Sequence, residues 1–114
     1  MKEFNNVIGA TGEKQAEEFL KKKGYKILTK NFRCVVGEID LIAKQKDMVI
    51  FIEVKKRETY LFGNPAEAVG KMKQSKIRKA ALYYLKQYKL IDSPCRFDVI
   101  EIVGENINHI ENAF

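Results

Sequence analysis

Two acids and a lysine stand where the sequence otherwise places hydrocarbon. Gly37-Glu38-Ile39-Asp40-Leu41-Ile42-Ala43 and Met48-Val49-Ile50-Phe51-Ile52-Glu53-Val54-Lys55 are strongly apolar, β-branched runs joined by Lys44-Gln45-Lys46-Asp47. That pattern predicts two antiparallel strands of a hairpin. Side chains alternate faces along a strand, so Glu38, Asp40 and Ile42 share a face, as do Val49, Phe51, Glu53 and Lys55. A connection centred on Gln45 and Lys46 sets Asp40 against Phe51 and diagonal to Glu53. The opposite face, Ile39, Leu41 and Ala43 with Ile50, Ile52 and Val54, is uninterrupted hydrocarbon. One face is therefore expected to be core, and the other to carry the charges.

Hydrolysis of a phosphodiester could use such a face. Mg²⁺ or Mn²⁺ takes oxygen ligands, and Mg²⁺ keeps several waters, so Asp40 and Glu53 with a substrate phosphate oxygen would be enough to hold the ion. A bound ion acidifies its water and offsets phosphate charge, while Lys55 could orient that water or stabilise the transition state. Lys56 points the other way. The same residue types also suit the solvated face of an antiparallel sheet, where Asp, Glu and Lys are common. Position brings the two readings level: the two acids fall on matching faces of adjacent strands, beside a very apolar partner, and both readings stay open.

Asp40 followed by Glu53-Val54-Lys55 resembles the PD-(D/E)XK nuclease signature. Gly37 to Ala43 with Phe51-Ile52-Glu53-Val54-Lys55 looks like the YraN-like group of predicted endonucleases, itself similar to the archaeal Holliday-junction resolvases. The likeness runs from about Gly9 to Val103, through Gly12-Glu13, Gly24-Tyr25, Asn31-Phe32-Arg33, Gly63-Asn64-Pro65 and Arg96-Phe97-Asp98-Val99. Ile39 stands where the superfamily name has proline, and it matches the narrower group. The resemblance implies a restriction-endonuclease-like core and DNA cleavage, with branched or junction structures as substrates. It also implies that Glu13 is an additional acid brought to the metal from the first helix, and that helix residues such as Lys71 and Gln74 lie near the site.

The elements that would position these residues follow from the rest of the chain. Its 114 residues suit one domain spanning the whole length, enough for a single core. Twenty-one Lys and Arg against 15 Asp and Glu give a net charge of +6, which favours a polyanionic partner, nucleic acid first. Cys34 and Cys95 are far apart and His109 is the one histidine, which excludes a zinc set and suggests buried thiols in a reducing compartment. No signal-like or membrane-spanning apolar run is present, so a cytoplasmic protein is expected. Repeats, low-complexity tracts and linkers are absent.

Thr11 and Gly12 precede good helix formers, predicting a first helix over 13–23 that stops at Gly24. Gly12, Ala16, Phe19 and Leu20 make its inner stripe, with Glu13 at the edge. An acid near a helix N-terminus is also favourable in its own right. Tyr25 to Lys30 reads as a first strand, and Asn31-Phe32-Arg33 leads into the hairpin. Beyond Lys55, residues 56–64 mix basic and aromatic side chains; Arg57 could grip phosphate, and Tyr60, Leu61 and Phe62 could stack on bases or simply pack. Pro65 suits a helix start, and Ile77, Ala80, Ala81, Tyr84, Leu85 and Tyr88 repeat at helical spacing, predicting a long helix over 65–89. Its outer side carries Lys71, Gln74, Ser75, Arg78, Lys79 and Lys86, a basic face able to hold a nucleic-acid backbone.

Ser93-Pro94 ends that helix, and 96–103 reads as a fourth strand, parallel to the third through a right-handed crossover. Asp98 fits a salt-bridged strand residue or a support near the metal; His109, in a short edge segment over 106–114, fits a structural role. The expected order is αβββαβ, an α/β fold with a mixed sheet between helices. The function expected is a Mg²⁺-dependent endodeoxyribonuclease, with a non-catalytic nucleic-acid-binding module or an RNA-processing nuclease as alternatives. A homodimer would suit junction cutting, because it presents two related sites.

Overall fold

The computed structural model describes residues 2–57 and 69–114, with side chains from residue 12 onward. Helix α1 (Lys2–Lys22) is followed by β1 (Lys26–Cys34), β2 (Gly37–Gln45) and β3 (Met48–Arg57), then α2 (Lys71–Gln87), β4 (Cys95–Val103) and β5 (Asn106–Ile110). The strands form one mixed sheet in the order β1-β2-β3-β4-β5. All neighbours are antiparallel except β3 and β4, which run parallel and are joined through α2, as the strand-helix-strand reading requires. The last segment forms the expected edge strand.

The sheet is buried on both faces, which corrects the expectation of one core face and one charged face. Leu41, Ala43, Ile50, Ile52, Ile100 and Ile102 pack with Ala16 and Leu20 of α1. Ile42, Val49, Phe51 and Val99 pack with Ile77, Ala80, Ala81, Tyr84 and Leu85 of α2. On the α2-side face of β3 the charged positions come at the end of the strand, beyond Phe51. Ile39 belongs to the same cluster as Ile42, so strict alternation fails between them, at Asp40.

Several boundaries differ from the sequence reading, each for a local reason. Helix α1 runs through Thr11 and Gly12 rather than starting there. Gly12 is a packing position: a Cβ on it would lie 3.3 Å from Lys56 Cδ, so its small size lets the helix pass β3. The helix does stop at Gly24, whose φ is 91°. Gly24 N–H donates to the Lys21 carbonyl (3.0 Å) and Tyr25 N–H to that of Leu20 (3.0 Å), the paired bonds of a Schellman ending. Strand β1 continues through Asn31, which takes φ 53°, a left-handed conformation Asn tolerates.

The β2–β3 register is two residues from the expected one: Ile42, not Asp40, faces Phe51, and Gln45 faces Met48 across a turn at Lys46-Asp47. A two-residue shift leaves every side chain on its face. Helix α2 begins at Lys71, because Gly70 is extended (φ −66°, ψ 164°), and Gln74 braces this start through Nε2 donating to the Val69 carbonyl at 2.7 Å. It ends at Gln87, before Lys89 turns left-handed at φ 56°. Pro65 and the aromatic part of the 56–64 segment lie outside the described residues. The cysteines are free, Cys34 half-buried and Cys95 exposed, so the expectation of two buried thiols is not met.

Candidate functional site

The site lies where β2 and β3 part. Their ladder runs from Gln45↔Met48 to Leu41↔Ile52, and the next positions in that register are Asp40 and Glu53. Val54 N–H donates to Asp40 Oδ2 at 2.8 Å. The carboxylate thus caps the ladder and brings two acids directly opposite one another. Alternation from Val49 and Phe51 places Glu53, Lys55 and Arg57 on the α2 side of β3.

Glu53 is 7% exposed and is held by two ammonium groups. Lys73 Nζ lies 2.7 Å and Lys55 Nζ 3.8 Å from the same oxygen, Oε1. Asp40 Oδ2 takes the Val54 bond and Glu53 Oε1 the two ammonium contacts, and each carboxylate has a second oxygen. Burial, and then the Glu53 charge, push the Asp40 carboxyl up to about 7, and Glu13 adds to the rise. Glu13 on α1 is therefore within electrostatic reach of Asp40. Lys55 is pushed below its ordinary value by burial and by Lys73. Burial also opposes the charge on Lys73, but its hydrogen bonds to Glu53 and Lys55 outweigh that and hold it above its ordinary value. One lysine is a firmly charged clamp on Glu53, and the other is closer to releasing its proton.

The structure brings Asp40, Glu53 and Lys55 together, and Glu13 reaches Asp40 only through its charge. It adds Lys73, which the sequence reading passed over for Lys71 and Gln74. Lys73 sits four residues before Ile77, at the exposed end of the line that continues into the buried stripe 77-80-84 of α2, so a lysine in line with an apolar stripe was the available signal. Lys71 is exposed at the helix start, and Gln74 is occupied in bracing it. Arg78 lies over the rings of Phe97 (5.1 Å) and Phe114 (5.5 Å), while Lys79 is exposed.

Arg57 is ion-paired with Glu101, which is fully buried opposite Lys55 on β4. Its side chain is only 13% exposed, and this ion pair engages it at the end of the sheet. Glu101 is a second buried acid on this face that sequence reasoning did not single out. Its parity with Phe97 and Val99 was the signal.

Asp98 is on the other face, with Ile100 and Ile102 in parity and Tyr25 beside it. Its carboxylate, fully buried, accepts from Arg96 Nε and Nη2 (both 2.8 Å), His109 Nε2 (2.6 Å) and Asn112 N–H (2.9 Å). These bonds, against the opposing effect of burial, hold it below the usual carboxylate range. Asp98 ties the chain end to the sheet and takes no part in the Asp40–Glu53 cluster, and His109 is structural. Among the described residues, no group of three or more His, Cys, Asp or Glu forms a ready metal-binding set. No helix among them is long and apolar enough to cross a membrane.

Residues 12–102 match the model of the Uncharacterised protein family UPF0102. The whole chain aligns at 47% identity with 98% of a UPF0102 protein of Clostridium acetobutylicum, and at 48% with all of one from Caldanaerobacter subterraneus. A UPF0102 protein of Thermodesulfovibrio yellowstonii is 51% identical over 94% of this chain and 95% of its own length.

Proposed function

The chain belongs to the uncharacterised protein family UPF0102, and we propose that it is a metal-dependent endonuclease with a restriction-endonuclease-like core, hydrolysing phosphodiester bonds in DNA. The observation that carries this reading is the pairing of Asp40 with Glu53 at the parting of β2 and β3, with two lysines on Glu53.

The donor set fits a hard divalent ion. A half-buried acid raised by burial and then by a neighbouring carboxylate marks a place short of positive charge, and Asp40 and Glu53 each have a second carboxylate oxygen beyond the contacts described, a hard donor of the kind such an ion takes. Those two groups would hold Mg²⁺ or Mn²⁺, with Glu13 supporting the ion or its waters. When bound, such an ion supplies Lewis acidity toward a phosphate oxygen and acidifies a water. The chain's own residues do the rest. Lys55, its proton affinity lowered, orients the attacking water or takes its proton at Nζ, and as an ammonium it offsets charge on the phosphate. Lys73, whose side chain is partly exposed, offsets Glu53 before substrate arrives and can turn to the phosphate afterwards. Branched DNA is the substrate the family resemblance suggests.

The Lys73 ammonium already on Glu53 also fits a second reading, a nucleic-acid-binding module without catalysis. A gel assay separates the two, using four-way junction, flap, linear duplex and RNA substrates with and without Mg²⁺ or Mn²⁺. Native protein should cut with metal, and Lys55→Ala should lower the rate by about a hundredfold or more while leaving affinity nearly intact. Salt-dependent binding with no cutting under any condition would favour the binding module. Cutting undiminished in Lys55→Ala would remove this site from the chemistry.

A further inference from the structure

A groove runs from the Lys73 end of the site along the outside of α2, between that helix and the β1–β2 hairpin. Its first part, about 520 Å³, lies between Gly37 and Glu38 of β2 and Met72, Lys73 and Lys76 of α2. The second part, about 400 Å³, is lined by Val36, Lys79, Leu82, Tyr83 and Lys86. The two are successive on both walls: Val36 adjoins Gly37, and Lys79 lies one turn beyond Lys76. At about 100° per residue, Met72, Lys76, Lys79, Tyr83 and Lys86 fall within an arc of about 80°, so they form one stripe on the helix. From Lys73 to Lys86 the helix rises about 20 Å.

The chemistry of this stripe is mixed in a particular way. Lys76, Lys79 and Lys86 are exposed cations. Between them stand apolar surfaces: Met72 is 75% exposed, Tyr83 49% and Leu82 45%, and the hairpin tip adds Val35 at 86%. The acid on this lining, Glu38, is already paired with Arg33 at 3.1 Å. A protein partner with a purely apolar face would strand the lysines, and a duplex would offer phosphates but no free base faces to the tyrosine. A single strand offers both phosphates and unstacked bases.

We propose that this groove is a track for a single-stranded nucleic-acid arm leading into or away from the Asp40–Glu53 site, with Lys76, Lys79 and Lys86 on phosphates and a base stacked on Tyr83. The proposal rests on the nuclease reading for its direction toward the site, and it makes the substrate a structure with an unpaired arm. Binding along the track does not depend on catalysis, so the two can fail separately.

The test is fluorescence anisotropy in EDTA, where no cutting occurs, with labelled oligothymidylate, oligouridylate and a blunt duplex. Native protein should bind the single strands more tightly than the duplex. Tyr83→Ala should lower single-strand affinity about tenfold and duplex affinity far less, and Tyr83→Phe should restore it. A Lys79→Glu, Lys86→Glu double variant should weaken single-strand binding and flatten its salt dependence. These positions are exposed, and unchanged thermal melts confirm that the variants fold. Comparison of the two oligonucleotides tells a deoxyribose arm from a ribose arm. Single-strand binding no tighter than duplex binding, or unmoved by Tyr83→Ala, overturns the track even if the protein cuts duplex DNA. Track-dependent binding by a protein that cuts nothing upholds the track and removes the nuclease.

Discussion

Replacing Asp40 by Asn should make the protein more stable while disabling the site. A carboxyl whose ordinary value is 3.8 and which burial and Glu53 raise to about 7 binds its proton more tightly folded than unfolded. Folding stability therefore falls as pH rises between those values, and the loss amounts to about 4 kcal/mol once pH exceeds the folded value. An amide carries no charge and escapes that loss. The Val54 N–H bond at 2.8 Å favours the ionised carboxyl, and its effect is already contained in that raised value. The net gain is therefore about 4 kcal/mol near pH 8, or about 15 °C in Tm for a chain of this size. Near pH 4 the native carboxyl is itself neutral in the fold, and the gain should vanish. Thermal melts of both proteins across this range, in EDTA, measure the difference. Added Mg²⁺ should then raise the Tm of the native protein but not of Asp40→Asn, since an ion stabilises only the state that binds it. An Asp40→Asn protein that melts lower than native near pH 8, or whose gain does not change with pH, would refute the assignment of a like-charge acid pair.

Asp98→Ala should cost about 3–5 kcal/mol, because it leaves the Arg96 guanidinium and two further donors without their buried acceptor. That is about 12–20 °C in Tm. The cleavage rate per folded molecule should be unaffected, and urea titration alongside a cleavage assay distinguishes the two effects. Since the folded Asp98 value is depressed, its contribution is present above the unfolded value and lost as pH falls through the folded one. Arg57→Ala should likewise destabilise by about 3–5 kcal/mol by stranding the buried Glu101. Any loss of nucleic-acid binding in that variant should track its Tm; a native melt with weakened binding would restore Arg57 as a contact.

How much of this was legible in the sequence depends on what local pattern encodes. The apolar runs on either side of Lys44–Asp47 specified β2 and β3, and Gly24 specified the end of α1, because alternation and a left-handed cap are local properties. Register is not local. The hairpin was misplaced by two residues, yet Asp40 and Glu53 still met, since only an odd slip would have parted them. What stayed hidden was set by contacts between distant segments. Nothing near Gly12 in the chain says that Lys56 will pass beside it. Nothing near Arg57 says that Glu101 waits one strand away.

Lys73 and Asp98 show how the same kind of evidence can be read further. Both are charged residues in positions whose neighbours in parity are buried: Lys73 on the stripe of Ile77, Ala80 and Tyr84, and Asp98 in parity with Ile100 and Ile102. A charge at a fully buried position such as Asp98 must find a partner, because an unpaired ion there costs several kcal/mol, whereas the Lys73 side chain is 45% exposed and pairs with Glu53 without that compulsion. For Asp98 the partners were within reach in sequence, at Arg96 and His109. For Lys73 the partner comes from another element that presents an acid toward α2, the face of β3 holding Glu53. The lysine in line with the buried stripe of α2 is thus the contact between that helix and the site.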